Sequence, residues 1–364
     1  MSALLDNSSP VKTNVDQLRE KLVASELDSM LITNLRDVRW LTKFSGSNAT
    51  LLLTRDALWL FTDSRYAEQV KHEVTVAECI ITSDGYLAEL KTQRYPTGAR
   101  VGFQADNLTV VSLEKLKAEL PTLSLVPQTN FCDEFVAIKA LEELENIKRA
   151  VSITDKVFQK LLEMMSPNVT ECDVAAEISY WNKKFGAEKD SFDPIVASGS
   201  RAALPHARAT DARLEHNSLV VIDMGCVVNG YCSDQTRTVA LGNISSDARR
   251  AYNAVLDAHL LGIASAKAGM TGKALDGIVR DFLTAQGYGE AFSHSLGHSV
   301  GLQVHEQPII GKKTEMVIPV GAVITIEPGV YLPNRFGVRI EDMVLITDSG
   351  AAPLPAAPKA LIEL

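Results

Sequence analysis

The sequence predicts a two-domain chain: a smaller α/β domain over residues 1–132, followed by a larger α+β domain over residues 133–364. Three observations carry this. Short apolar runs alternate with helix-like and polar segments through the first domain. A long Glu- and Lys-rich helical pattern opens the second. Late in the chain, strand-like runs follow one another closely, as antiparallel hairpins do. A length of 364 residues suits two or three domains of roughly 100–200 residues each.

Taken in order, residues 1–15 read as a polar, frayed lead. VDQLREKLVASEL has helical spacing. SMLIT, LLLT and ALWLF read as short strands, with the polar DSRYAEQVKHEV after them, and SLVPQ near residue 127 reads as the last strand of the domain. Residues 138–165 place apolar side chains at helical intervals, and Ser166–Pro167 ends that helix. Thr170 has the character of an N-cap, with Glu171 in the first turn. Two further helices are expected near 246–267 and 272–286. SLVVIDMG, YCSDQTRTVAL, AVITI and GVRIEDMVLIT supply strands. No repeat or low-complexity tract interrupts this order.

With 36 basic and 45 acidic residues the net charge is −9, which disfavours nucleic acid and anionic lipid as main partners. No apolar stretch approaches the roughly 20 residues of a membrane span. MSALLDNSSP has neither a basic nor an apolar leader region, so no secretory signal is expected. The five cysteines, Cys79, Cys132, Cys172, Cys226 and Cys232, are odd in number and scattered. The spacing of Cys226 and Cys232 fits no zinc or redox pattern. These features describe a soluble, cytoplasmic chain with reduced thiols.

The first chemically informative segment is VIDMGCVVNGYCSDQTRT. Asn229–Gly230 predicts a two-residue type I′ turn, because both positions need positive φ. That turn pairs Val228 with Tyr231 and sets Asp223 opposite Thr236. Asp234, two residues from Thr236, then shares a face with Asp223. Two solvent-facing carboxylates would satisfy this hairpin as well as a functional pair would. Asp223, however, sits inside the apolar run LVVIDMG, where an unpaired charge is costly.

Farther along, His294, His298 and His305 fall within twelve residues, and Gly297 and Gly301 argue against a helix there. Glu327 ends an apolar strand and Glu341 lies inside another. A hairpin centred on Asn334 would set the two opposite each other, with Arg339 on the face of Glu341. Two aspartates, two glutamates and a histidine make a hard, oxygen-rich donor set without thiolate, unlike structural zinc. Four carboxylates exceed what one divalent ion needs. Charge balance suggests two cations about 3.5–4 Å apart, sharing carboxylates, as in two-metal hydrolases.

In this order and spacing the sequence resembles the pita-bread metallopeptidases, and among them the Xaa-Pro peptidases, the prolidases and aminopeptidases P. The motifs are FDPIVASGSRAALPH from Phe192 to His206, IDMGC with SDQTRT, SLGHSVGLQVHE, IEPGVY and VRIED. FSGSNA at 44–49 and FTDSRY at 61–66 resemble the creatinase-type N-terminal domain. The resemblance implies a pita-bread catalytic domain after a creatinase-like one. It implies that Asp223 holds one metal, His298 and Glu327 the other, and that Asp234 and Glu341 bridge both. His206, His294 and His305 would line the substrate site for proton transfer and carbonyl stabilisation. Tyr331 and Arg339 would support that shell, and Glu327 would act as base. Manganese(II) is the expected metal, with cobalt(II) or zinc(II) as alternatives, and a homodimer is implied.

Ser299 stands where the family often has Gly, and Ser200 and Arg201 where it often has Asn or Asp. Arg201 is bulky near the substrate loop and bears on substrate preference. The implied reaction is hydrolysis of the Xaa-Pro bond of small peptides with proline in second position. That bond is a tertiary amide lacking N–H. Dipeptidase action is favoured, with aminopeptidase P action on longer peptides as the alternative. Methionine aminopeptidases share the five-residue pattern but lack the N-terminal domain and the VRIED arginine. A metal-free creatinase-like or binding protein is the reading from a different class, and such proteins lose metal ligands.

Overall fold

A computed structural model describes residues 13–92 and 95–364. The polar lead up to residue 12 lies outside the described residues. The chain divides into two compact units, one ending at Val136 and one spanning Ala137–Leu364.

The first unit opens with the helix Asn14–Ala24. Thr13 caps it, and its hydroxyl and the Asp16 carboxylate close a reciprocal capping box. Thr13–Val15, expected to fray, is therefore the tied-down start of this helix. Six strands form one sheet in the order Glu78–Ile81, Leu58–Thr62, Thr50–Thr54, Ser29–Ile32, Arg100–Gln104 and Ser124–Gln128. The strands from 29 to 62 pair antiparallel and the outer additions pair parallel. Ser29–Ile32 is buried at every residue. Burial on both faces explains why it reads as a continuous apolar run rather than an alternating one.

The second unit places helices against antiparallel sheets. The helix Leu141–Met164 and the Thr170-capped helix Glu171–Lys184 pack on Val220, Ile222, Met224 and Val239. The helices Ser246–Ser265 and Gly272–Ala285, capped by Ser245 and Thr271, pack on Ile324, Ile326, Val338 and Val344. Strand alternation then decides what the opposite faces carry. Residues 220, 222 and 224 face the helices, so Asp223 faces away from them. Ile324 and Ile326 do likewise, so Thr325 faces away.

Two long hairpins organise these faces. In the first, Val228 faces Tyr231 and Thr236 faces Asp223, the register that the Asn229–Gly230 turn predicts. Both turn residues have positive φ, 49° and 85°. In the second, Val330 faces Val338 around Asn334, whose φ is 61°. Beyond this ribbon the same chain segments pair again, with Ile326 facing Asp342. Glu327 and Glu341 sit at the break between the two stretches of pairing, where the strands part and side chains can turn into a cavity.

Candidate active site

The cavity in the second unit measures about 760 Å³, within the usual range for small-ligand sites. Asp223, Asp234, His294, His298, His305, His206, Glu327, Arg339 and Glu341 all border it. Tyr331 lies one step behind. The two hairpins bring the four carboxylates, and the strand Gly297–Ser299 brings His298, to one end of that space.

Asp234, His298 and Glu341 each offer a donor atom, and these three atoms lie within 4.8 Å of one another. Nε2 of His298 is 3.7 Å from Asp234 Oδ2 and 3.4 Å from Glu327 Oε1. Its Nδ1 is 3.1 Å from the carbonyl oxygen of Ser299 and can only donate there. In the neutral ring, Nε2 therefore turns a lone pair toward two carboxylates. That arrangement is repulsive unless a cation stands between them, and it is the usual preparation of a metal-binding histidine. Oδ1 of Asp223 is buried with no hydrogen-bond partner, a second sign that this end of the cavity suits a cation. The donor set fits divalent metal.

The electrostatics agree. Burial raises the Glu341 carboxyl to about 8, with the negative charge of Asp223 adding to it. Asp234 and Glu327 are likewise pushed well above the ordinary carboxylate range, by burial first and then by neighbouring carboxylates. Burial lowers His298 to about 3 and His294 to about 4, with His305 the next contributor to the first and Arg339 to the second. The cluster therefore has excess acceptor charge and a neutral imidazole. Asp342, next to Glu341 but on the other face of the strand, behaves oppositely. Burial works against its ionisation, yet His259, Arg237 and Lys359 hold it down at about 2.

Arg339 organises the second layer. It is 3% exposed and donates to Asp223 Oδ2 at 2.7 Å, to the Tyr331 hydroxyl at 2.7 Å, to the Pro205 carbonyl at 3.1 Å and to the Thr236 hydroxyl at 3.0 Å. The Thr236 hydroxyl in turn donates to Glu341 Oε2 at 2.7 Å. The Tyr331 hydroxyl meets His294 Nε2 at 3.0 Å, while His294 Nδ1 meets the Ser295 carbonyl at 2.7 Å. In neutral His294, Nδ1 carries the proton, so Tyr331 donates to Nε2. A directed chain runs from Arg339 through Tyr331 to His294 and on to Ser295. His305 packs edge-on to His298, with ring centres 4.3 Å apart. His206 lies on the exposed turn that follows Leu204.

Several supporting residues escape a reading of motifs. Thr325 donates to Glu327 at 3.4 Å and accepts from the His298 amide at 3.1 Å. Period two from Glu327 would have found it. Glu306 forms a buried ion pair with Lys139 at 2.8 Å, directly after His305. Arg237 binds the Glu341 carbonyl at 2.6 Å and Asp342 at 2.8 Å. His259, a lone helix histidine, binds Asp342 at 3.2 Å. No spacing marks these long-range partners. Ser299, where glycine is frequent in the family, buries its hydroxyl against the Val323 carbonyl at 3.0 Å. Arg201 does not border the cavity.

A two-domain fold whose second unit buries this donor set defines a metallopeptidase-type hydrolase. Comparison with known proteins makes the class specific. Residues 145–348 match metallopeptidase family M24, and residues 14–137 match the creatinase/prolidase N-terminal domain. The chain belongs to metallopeptidase family M24, and the fold is the pita-bread fold, preceded in the sequence by a creatinase-type domain. It is 35% identical over 353 residues to a Pyrococcus horikoshii protein named Xaa-Pro dipeptidase, covering 96% of this chain and 98% of that one. The structure of an Xaa-Pro dipeptidase from Bacillus anthracis superposes with a TM-score of 0.92 at 35% identity, covering 96% and 99% of the two chains. The structure of an X-Pro aminopeptidase from Thermotoga maritima gives 0.85 at 32% identity, covering 95% and 99%.

Proposed function

We propose that this protein is a dinuclear-metal Xaa-Pro dipeptidase. The observation that carries the reading is the convergence of Asp223, Asp234, His298, Glu327 and Glu341 on one end of the cavity, with the His298 lone pair facing carboxylates. These five would hold two divalent cations, Asp234 and Glu341 being shared between them. Hard oxygen donors favour manganese(II), with cobalt(II) or zinc(II) as alternatives. When bound, such cations supply Lewis-acid polarisation of the scissile carbonyl and a lowered water pKa.

The chain's own groups supply the rest. Glu327, the most exposed of the five carboxylate and imidazole side chains at 17%, is the base that takes a proton from the attacking water. His305, edge-on to His298, and His206, which also borders the cavity, supply hydrogen bonds to the carbonyl and a proton to the departing imino nitrogen. Arg339, Tyr331 and His294 hold the wall of the site through their hydrogen-bond chain. The reaction belongs to the C-terminal domain, and the N-terminal domain is the creatinase-like one. A cytoplasmic homodimer is part of the proposal. The unpaired state of all five cysteines supports the reducing location, and family resemblance supports the dimer.

The test is release of the N-terminal residue from Ala-Pro, Ala-Ala and Ala-Pro-Ala with manganese added. Ala-Ala brings an amide N–H into a pocket shaped for a ring, an unmet donor costing about 1–3 kcal/mol, and it loses the burial of the ring. Ala-Pro should therefore be preferred by about two powers of ten. Equal rates on Ala-Pro and Ala-Ala would overturn the proline reading. Cleavage of the tripeptide alone would move the assignment to aminopeptidase P.

A further inference from the structure

The helix Gly272–Ala285 gives no side chain to the cavity wall. One of its faces nevertheless carries a charged pair directed at a segment that does. Asp276, which is buried, and Arg280 stand one turn apart. Nε and Nη2 of Arg280 donate to the two carboxylate oxygens of Asp276, each at 2.8 Å. The planar fork of the guanidinium has donors left over. Nη1 reaches the Phe292 carbonyl at 2.7 Å and Nη2 the His294 carbonyl at 2.7 Å. Oδ1 of Asp276 accepts in turn from the Leu296 amide at 3.0 Å. The guanidinium also lies over the Phe292 ring, 4.1 Å from its centre, and that ring meets the His294 ring edge-on at 5.1 Å.

Residues 292–296 form neither helix nor strand, so their backbone polar groups need partners from elsewhere. Two side chains of one helix supply three of those partners, on both sides of the single histidine that the segment turns into the cavity. The far side of His294 is fixed as well, by the Tyr331 hydroxyl at its Nε2. We infer that Asp276 and Arg280 are positioning residues that aim the His294 imidazole into the substrate cavity by holding the backbone on either side of it. The inference rests on the place of His294 in the substrate wall and deepens that reading. The same segment accepts the Glu327 amide at the Leu296 carbonyl, at 2.8 Å, so the test must separate an effect on the histidine from one on the metal-binding carboxylate.

The experiment is a double-mutant cycle on the full-length, manganese-loaded protein with Ala-Pro as substrate. Arg280→Gln should lower kcat/KM by about tenfold to a hundredfold, the cost of a small misplacement made away from the chemistry, and should keep the manganese content of the wild type. Arg280→Lys retains the charge without the fork and should fall between the two; it carries the test if the glutamine variant does not fold. Combining Arg280→Gln with His294→Ala should cost no more than His294→Ala alone, because the arginine acts through the histidine. A readout free of turnover is the nitrogen NMR spectrum of the histidine rings in the zinc-loaded protein, with the His294 signals assigned by their loss in His294→Ala. The wild type should show His294 with its proton fixed on Nδ1, and the Arg280 variants should show that signal broadened or shifted toward the other tautomer. Losses that simply multiply in the double variant, an unchanged His294 signal in the Arg280 variants, or loss of manganese from them would each overturn the inference. Turnover of no Xaa-Pro substrate by the wild type would sink the Xaa-Pro reading instead, and the ring signals would still decide whether Arg280 positions His294.

Discussion

Thr236 shows how much one hydroxyl can carry. It accepts from Arg339 and donates to Glu341, so it both turns the arginine and fixes which oxygen of Glu341 remains open to a metal. Thr236→Val keeps the shape and removes both bonds. Loss of such a supporting contact typically weakens metal binding by about 10–100-fold. Metal titration should show that loss, and Thr236→Ser should recover most of it; unaltered affinity in the valine variant would remove Thr236 from the site. The proposed ligands and the proposed proton-transfer groups should separate in the same assay. Asp234→Asn removes a shared charge and should lower metal content and activity together. His305→Ala should keep both metals and lose turnover by roughly 10²–10⁴. If His305→Ala loses metal instead, its role has been exchanged with that of His298.

The elements deliver these side chains because the first hairpin is interrupted, at Gly225 on one strand and at Ser233 and Asp234 on the other. At Gly225 a Cβ would fall on the carbonyl oxygen of Ser233, so only glycine lets the two strands approach just before Asp234. Gly225→Ala should force them apart and cost about 1–3 kcal/mol, as overpacking does. Thermal melting of the metal-free protein would read this, and an unchanged Tm would mean the strands relax freely. The hairpins were legible in the sequence because turn chemistry is local. Asn229–Gly230 fixes a register, and alternation then carries it to Asp223 and Asp234. The helices were legible through spacing and caps, Thr170 among them. The contacts of Glu171 with Arg201 and of Lys139 with Glu306 join residues 30 and 167 positions apart. No local pattern encodes such pairs, and only the packed chain reveals that Arg201 reaches from the Glu171 carboxylate to the Arg208 carbonyl.

At the scale of the whole molecule, the site trades stability for metal affinity, and pH exposes the trade. In the metal-free fold Glu341 holds its proton up to about 8, against an ordinary value near 4.5. A carboxyl raised on folding binds its proton more tightly in the native state. Its contribution is thus complete below about 4.5 and disappears as pH climbs through about 8. Asp234 and Glu327 are shifted in the same direction. Asp342 has the opposite sign: lowered to about 2 from 3.8, it adds stability above the ordinary value and loses it as pH falls toward 2. The metal-free protein should therefore be most stable in mild acid and lose several degrees of Tm between about pH 5 and 8. Divalent cations replace the protons and neutralise the cluster, so manganese should restore Tm most strongly at the alkaline end, with proton release on binding. Melting curves at several pH values, with chelator and with manganese, would decide it. A metal-free Tm that rises from pH 5 to 8, or a manganese effect independent of pH, would show that these carboxylates are already balanced without a cation.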